Sequence, residues 1–95
     1  MNVLDKTTFA ARLGETFIVH PESGDPVTLV LTEVSRASEP VERPFTLLFH
    51  APDGAVLTQR TYEVENAAMG RFDLFLVPVG PDPETRWLRY EAVFN

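Results

Sequence analysis

The sequence predicts an all-β domain, or a β-rich one with a single short N-terminal helix. About six mostly antiparallel strands would form a compact sandwich or a partly closed barrel. Three observations carry this. Apolar and polar residues alternate over strand-length runs six times. Turn-forming Pro, Gly, Asp and Asn residues separate those runs at close intervals. No helix-length segment lies between two runs, so parallel crossovers have no room. With 95 residues the chain is one domain, residues 1–95, with no linker or internal repeat.

The elements follow in order. Thr7 or Thr8 caps a short helix, Phe9 and Leu13 share its apolar face over a sheet, and Gly14 ends it. Residues 15–20 read as a strand and residues 21–26, with Pro21 and Pro26, as a turn. Residues 27–34 form a second strand with Val27, Leu29 and Leu31 on one face and Thr28 and Thr32 on the other. Residues 35–44 form a loop bounded by Pro40 and Pro44. Phe45, Leu47 and Phe49 align on a third strand, residues 45–50, and Pro52-Asp53-Gly54 turns the chain. A fourth strand spans residues 56–64, with Arg60, Tyr62 and Val64 on one face. After a connection at residues 66–70, residues 71–79 carry apolar side chains on both faces from Leu74 onward. That pattern suits a strand covered on both sides or one crossing between layers. Pro78 cannot donate to a ladder, so that end belongs at an edge or a bulge. The last strand, residues 86–94, places Leu88, Tyr90, Ala92 and Phe94 on one face and Trp87, Arg89, Glu91 and Val93 on the other.

Composition narrows function by exclusion. Hydrophobic residues are 44% of the chain, far from the composition of a disordered segment. The net charge is −6, and the seven arginines and single lysine are scattered, so neither nucleic acid nor an anionic membrane surface is an expected partner. The absence of cysteine removes disulfides, thiolate zinc sites and cysteine nucleophiles, and is compatible with the expected cytoplasmic location. No secretory signal is read in residues 1–12 and no run reaches the length of a membrane span.

Sites of chemistry are sparse. His20 and His50 each end a strand beside a turn. If those strands are neighbours, the imidazoles and Glu22 or Asp53 make a metal site, the basis of a metal-dependent hydrolase reading. Two histidines at unrelated spacing carry no ligand signature, however, so the expectation is two surface histidines, no metal and no cofactor. Glu63 and Glu65 lie on one strand face, and Glu39 and Glu42 in one loop; neither pair spans a cleft as glycosidic chemistry needs. Ser23, Ser35 and Ser38 sit outside any nucleophile elbow, and the dispersed glycines form no phosphate loop. No catalytic residue is expected. Trp87 is either core or an exposed anchor for a protein partner, and with Arg89, Arg60 and Tyr62 it makes the candidate interaction surface. The mixed-charge loop at residues 35–44 is a further candidate.

Several segments read together carry a resemblance. They are Pro44-Phe45-Thr46-Leu47-Leu48-Phe49, Leu57-Thr58-Gln59-Arg60-Thr61-Tyr62, Gly70-Arg71-Phe72-Asp73-Leu74-Phe75-Leu76-Val77-Pro78-Val79-Gly80 and Tyr90-Glu91-Ala92-Val93-Phe94-Asn95, with Phe9, Leu13, Gly14 and Phe17. Over nearly its whole length the chain resembles a family of short bacterial proteins classed only as a domain of unknown function. The resemblance implies no catalytic motif. It implies a setting beside phage-tail-like proteins, and so an accessory or assembly role. The functional expectation is a non-enzymatic module that binds a protein partner or itself, through an exposed strand edge or the Trp87 face. A small-molecule-binding β-barrel is the alternative.

Overall fold

The computed structural model describes residues 4–35 and 45–94. Residues 36–44 of the loop candidate at residues 35–44 therefore lie outside the described residues. One short helix, α1 (Lys6–Ala10), precedes six strands: β1 (Thr16–His20), β2 (Val27–Val34), β3 (Phe45–Ala51), β4 (Arg60–Asn66), β5 (Gly70–Pro81) and β6 (Leu88–Phe94). The strands are antiparallel and close a barrel in the order β1-β2-β3-β6-β5-β4, with β4 returning to β1. The architecture is thus a closed barrel rather than a sandwich. Every strand has two neighbours, which leaves no whole edge strand for a partner to extend.

Alternation along each strand fills the interior. Phe17 and Val19 of β1, Leu29 and Leu31 of β2, Phe45, Leu47 and Phe49 of β3, Val64 of β4, Leu76 of β5 and Tyr90 of β6 are essentially inaccessible to water. A bulge between Leu31 and Glu33 lets β2 place both Leu31 and Val34 inward, although they are an odd number of residues apart. A second register shift falls between Pro78 and Gly80, where the proline's missing N–H is tolerated.

The helix differs from expectation in its details. Asp5, not Thr7 or Thr8, is the N-cap: its Oδ1 accepts from the Thr8 N–H at 2.8 Å. The helix ends at Ala10, so Leu13 is exposed and only Phe9 enters the core. Gly14, at φ 84°, makes the turn into β1, and its N–H reaches the Leu31 carbonyl at 2.8 Å.

Phe9 closes one end of the barrel. Its ring packs against Phe17, Phe45, Phe72 and Phe94, with centroids 5.6 to 6.4 Å away. The β5–β6 ladder stops at Val77↔Glu91, so Phe9 joins Phe72 of β5 to Phe94 of β6 where the backbone ladder no longer does. Phe94 in turn stacks on Phe45 at 4.6 Å. At the other end Tyr90 ties in the segment between β3 and β4: its hydroxyl donates to the Ala55 carbonyl and accepts from the Leu57 N–H.

Three further expectations are corrected. β4 begins at Arg60, because the chain from Gly54 to Gln59 is held as a non-strand segment by Tyr90. β5 is not covered on both sides: Leu74 and Leu76 are buried, while Phe75 and Val79 face outward. β6 begins at Leu88, and Trp87 belongs to the turn before it. Among the described residues no helix is long and apolar enough to cross a membrane.

Replacing Phe9 by Ala removes a ring with no solvent exposure and four aromatic neighbours. The expected cost is ~3–5 kcal/mol, the range for buried Phe→Ala changes. For a domain of this size that lowers Tm by more than about 10 °C. Thermal unfolding followed by circular dichroism checks this.

Candidate interaction site

The four sequence-derived site residues fall into two groups. Trp87 and Arg89 sit at the β5–β6 corner, and Arg60 and Tyr62 lie on β4, with β5 between. Tyr62 is not a surface residue. It is buried, its hydroxyl donates to the Thr58 carbonyl at 2.9 Å, and the Thr58 hydroxyl meets it at 3.2 Å. Arg60 is exposed at the rim, 5.8 Å above the Tyr62 ring and paired with Glu22.

The Trp87 corner is built by a tight turn. The Asp82 N–H donates to the Trp87 carbonyl and the Arg86 N–H to the Asp82 carbonyl, at 2.8 and 2.9 Å. Arg86 takes φ 68°, the only described non-glycine residue with positive φ. Asp82 Oδ1 accepts from the N–H groups of Glu84 and Thr85 at 2.8 and 2.9 Å. Those two backbone donors (Thr85 the stronger) and then the His50 bond hold the Asp82 carboxyl down, from 3.8 to about 2. Arg89 Nε donates to the Gly80 carbonyl at 3.2 Å and pins the β5 bulge, so this guanidinium serves as a support.

A side-chain chain anchors the turn to the barrel wall. His50 Nε2 donates to Asp82 Oδ2 at 3.3 Å, and in the neutral ring Nδ1 accepts from the Thr32 hydroxyl at 2.8 Å. Thr32 is the residue of the β2 bulge, which aims its side chain at β3. The order hydroxyl, imidazole, carboxylate is the one that activates nucleophiles. Here the Thr32 hydroxyl also lies 3.2 Å from the Leu48 carbonyl, which competes for its proton. The arrangement staples β2, β3 and the turn together. Trp87 lies edge-on to His50, with ring centroids 6.5 Å apart, and remains 41% exposed. Thr32 and Asp82 carry no sequence motif; only the bulge and the strand order bring them to His50.

The two histidines do not meet. His20 Nε2 donates to Glu65 at 2.9 Å, while His50 is buried in its own network two strands away. Glu22 is occupied by Arg60. Among the described residues no group of three His, Asp or Glu side chains is placed to hold a metal.

Outward apolar side chains form a stripe along β5: Phe75 is 50% exposed, Val77 half-buried and Val79 38% exposed. Val93, 51% exposed, lies on the neighbouring β6, and Trp87 in the turn that joins the two strands. Sequence reasoning missed Phe75 and Val79. The apolar run from Leu74 to Val79 suits a strand covered on both sides or crossing between layers, and only strand order shows that no element among the described residues covers its outer face.

The depressed Asp82 pKa gives a pH dependence. A carboxylate whose folded pKa lies below its unfolded value stabilises the fold above about pH 4, and that contribution is lost as pH falls through about 2. The emission of Trp87, the sole tryptophan, should therefore change between about pH 4 and pH 2 as the turn loosens. In Asp82→Asn this transition should be absent. An identical transition in the variant would contradict the assignment.

Searches of curated proteins and of solved structures found no match to the chain. The sequence does match one protein family over residues 4–94, the stretch that holds the helix and all six strands. The chain therefore belongs to the family described as Domain of unknown function (DUF6916).

Proposed function

We propose that this chain is a non-enzymatic interaction or assembly module that works in the cytoplasm and binds another protein through the outer face of β5 and β6. One observation carries the reading: among the described residues, four of the six exposed large apolar residues, Phe75, Val79, Trp87 and Val93, belong to β5, β6 and the turn between them. Scattered surface apolar residues need no explanation, but the stripe of Phe75, Val77 and Val79 together with a tryptophan held by a hydrogen-bonded turn has the make-up of a binding surface. The turn uses a positive-φ arginine and a carboxylate staple to hold Trp87 half out of the barrel. Fixing an aromatic anchor in advance lowers the entropy cost of association. The family resemblance supports an assembly role, in the setting of phage-tail-like proteins.

The interior offers less to the alternative of a ligand-binding barrel. Phe17, Phe49, Leu47, Leu76 and Tyr90 occupy it, and the clefts among the described residues open at the surface.

The test is capture of partners from a native-host lysate on the immobilised chain, with Trp87→Ala and Phe75→Asp alongside. One stoichiometric partner should be retained by the native chain. Loss of about 2 kcal/mol or more of binding is expected at a hot-spot tryptophan, roughly a thirtyfold weakening. Both substitutions lie at exposed positions, so Tm should move by only a few degrees. Equal capture by all three proteins would defeat the reading, as would unfolding of Trp87→Ala.

A further inference from the structure

The barrel is closed at its β1–β4 seam by three residue pairs only, Ile18↔Glu65, Val19↔Val64 and His20↔Glu63. β4 continues past this ladder to Arg60, still paired with β5 through Arg60↔Leu76, Thr61↔Phe75 and Tyr62↔Leu74. β1 does not continue with it. Pro21 follows His20 and has no N–H to give, and residues 21–26 swing into the β1–β2 connection. No backbone hydrogen bond joins residues 21–23 to residues 60–62. In an antiparallel strand, alternate residues direct both main-chain groups to opposite neighbours. At least one of residues 60–62 therefore presents its N–H and C=O to this gap.

A groove lies along the gap. Clefts of about 270 and 350 Å³ share Pro21, Glu22, Arg60 and Tyr62. Val56, 79% exposed, lines the second of them. The Arg60–Glu22 ion pair spans the opening between β4 and the connection. Both partners are largely exposed, at 49% and 81%, so the pair is a weak latch that an incoming chain can part. The carboxylates of Glu22, Asp25 and Glu63 line the groove against the single guanidinium of Arg60, and Arg71 reaches Glu63 only from its far side, at 3.4 Å.

We infer that this seam is a strand-addition site. An extended partner peptide carrying lysine or arginine would lie beside residues 60–62 of β4 and take the place that β1 vacates at Pro21. The unpaired main-chain groups call for an extended segment. Pro21 and Val56 supply apolar contact, and the excess of carboxylates selects the basic side chain. The site is separate from the β5–β6 face and stands or falls independently of it.

The probe is a hexapeptide of alternating valine and lysine, titrated into the full chain and followed by amide chemical shifts and amide exchange. Saturable shifts should centre on residues 60–62. The open-side amide should exchange at least about tenfold more slowly in the complex. A backbone N-methylated version of the peptide should bind about tenfold more weakly, the loss expected for one or two main-chain hydrogen bonds. A valine–glutamate version should also bind more weakly, as should the lysine peptide to Glu63→Lys. Trp87→Ala should bind the lysine peptide like the native chain. Equal binding of the N-methylated peptide would show charge attraction without strand addition and overturn the inference. So would shifts centred on Phe75 and Val93, or no saturable shift in a chain whose β1–β4 ladder amides remain protected.

Discussion

The packing of Phe9 between the two ends of the chain is the contact on which the rest of the barrel depends. A six-stranded barrel of this size must close two seams that its ladders only partly cover. β5 and β6 separate beyond Val77↔Glu91, and the ring of Phe9 reaches Phe72 on one side and Phe94 on the other. A helix of five residues has little stability of its own. It persists because Asp5 caps it and because Phe9 is buried against four rings. The far end is tied by hydrogen bonds instead, from Tyr90 to the segment before β4.

Closure decides where recognition can occur. With every strand flanked on both sides, a partner must use an outward side-chain face or one of the short stretches where a ladder runs out. The described residues offer both kinds. On the outer face of β5 and β6, an apolar stripe ends at a tryptophan whose turn is stapled to the wall by Thr32, His50 and Asp82. At the β1–β4 seam, a proline ends one strand while its neighbour runs on. Buried polar side chains contribute to the closure. Asn66, for example, donates to the Thr16 carbonyl and accepts from the N–H groups of Ala68 and Met69, joining the start of β1 to the β4–β5 turn.

Much of the fold was legible because period-two alternation and turn residues are local signals. The third strand, with Phe45, Leu47 and Phe49 inward, follows directly from them. The resemblance to a domain of unknown function agrees with the family match, which spans residues 4–94 and so the helix and all six strands. What escaped the sequence is non-local. Whether Phe75 and Val79 are covered depends on which elements lie beyond β5. Whether Arg60 opens a strand or sits inside one depends on Tyr90, thirty residues later. His50 lacks its partners until the bulge at Thr32 and the turn at Asp82 are placed around it. Trp87 was open between core and surface because its burial is set by that turn, not by the alternation of β6.

Closure of the barrel through β1 and β4 underlies all of this. It is tested most directly by cross-strand nuclear Overhauser contacts in the native chain, between Ile18 and Glu65 and between Val19 and Val64, together with ring contacts from Phe9 to Phe94. Closure predicts all three, with amide exchange at Ile18, Val19 and Val64 as slow as in the central ladder of β3 and β6. Absence of the β1–β4 contacts, with free exchange on both strands, would mean an open sheet with two long edges. Partner binding would then be expected along those edges and not on the Trp87 face.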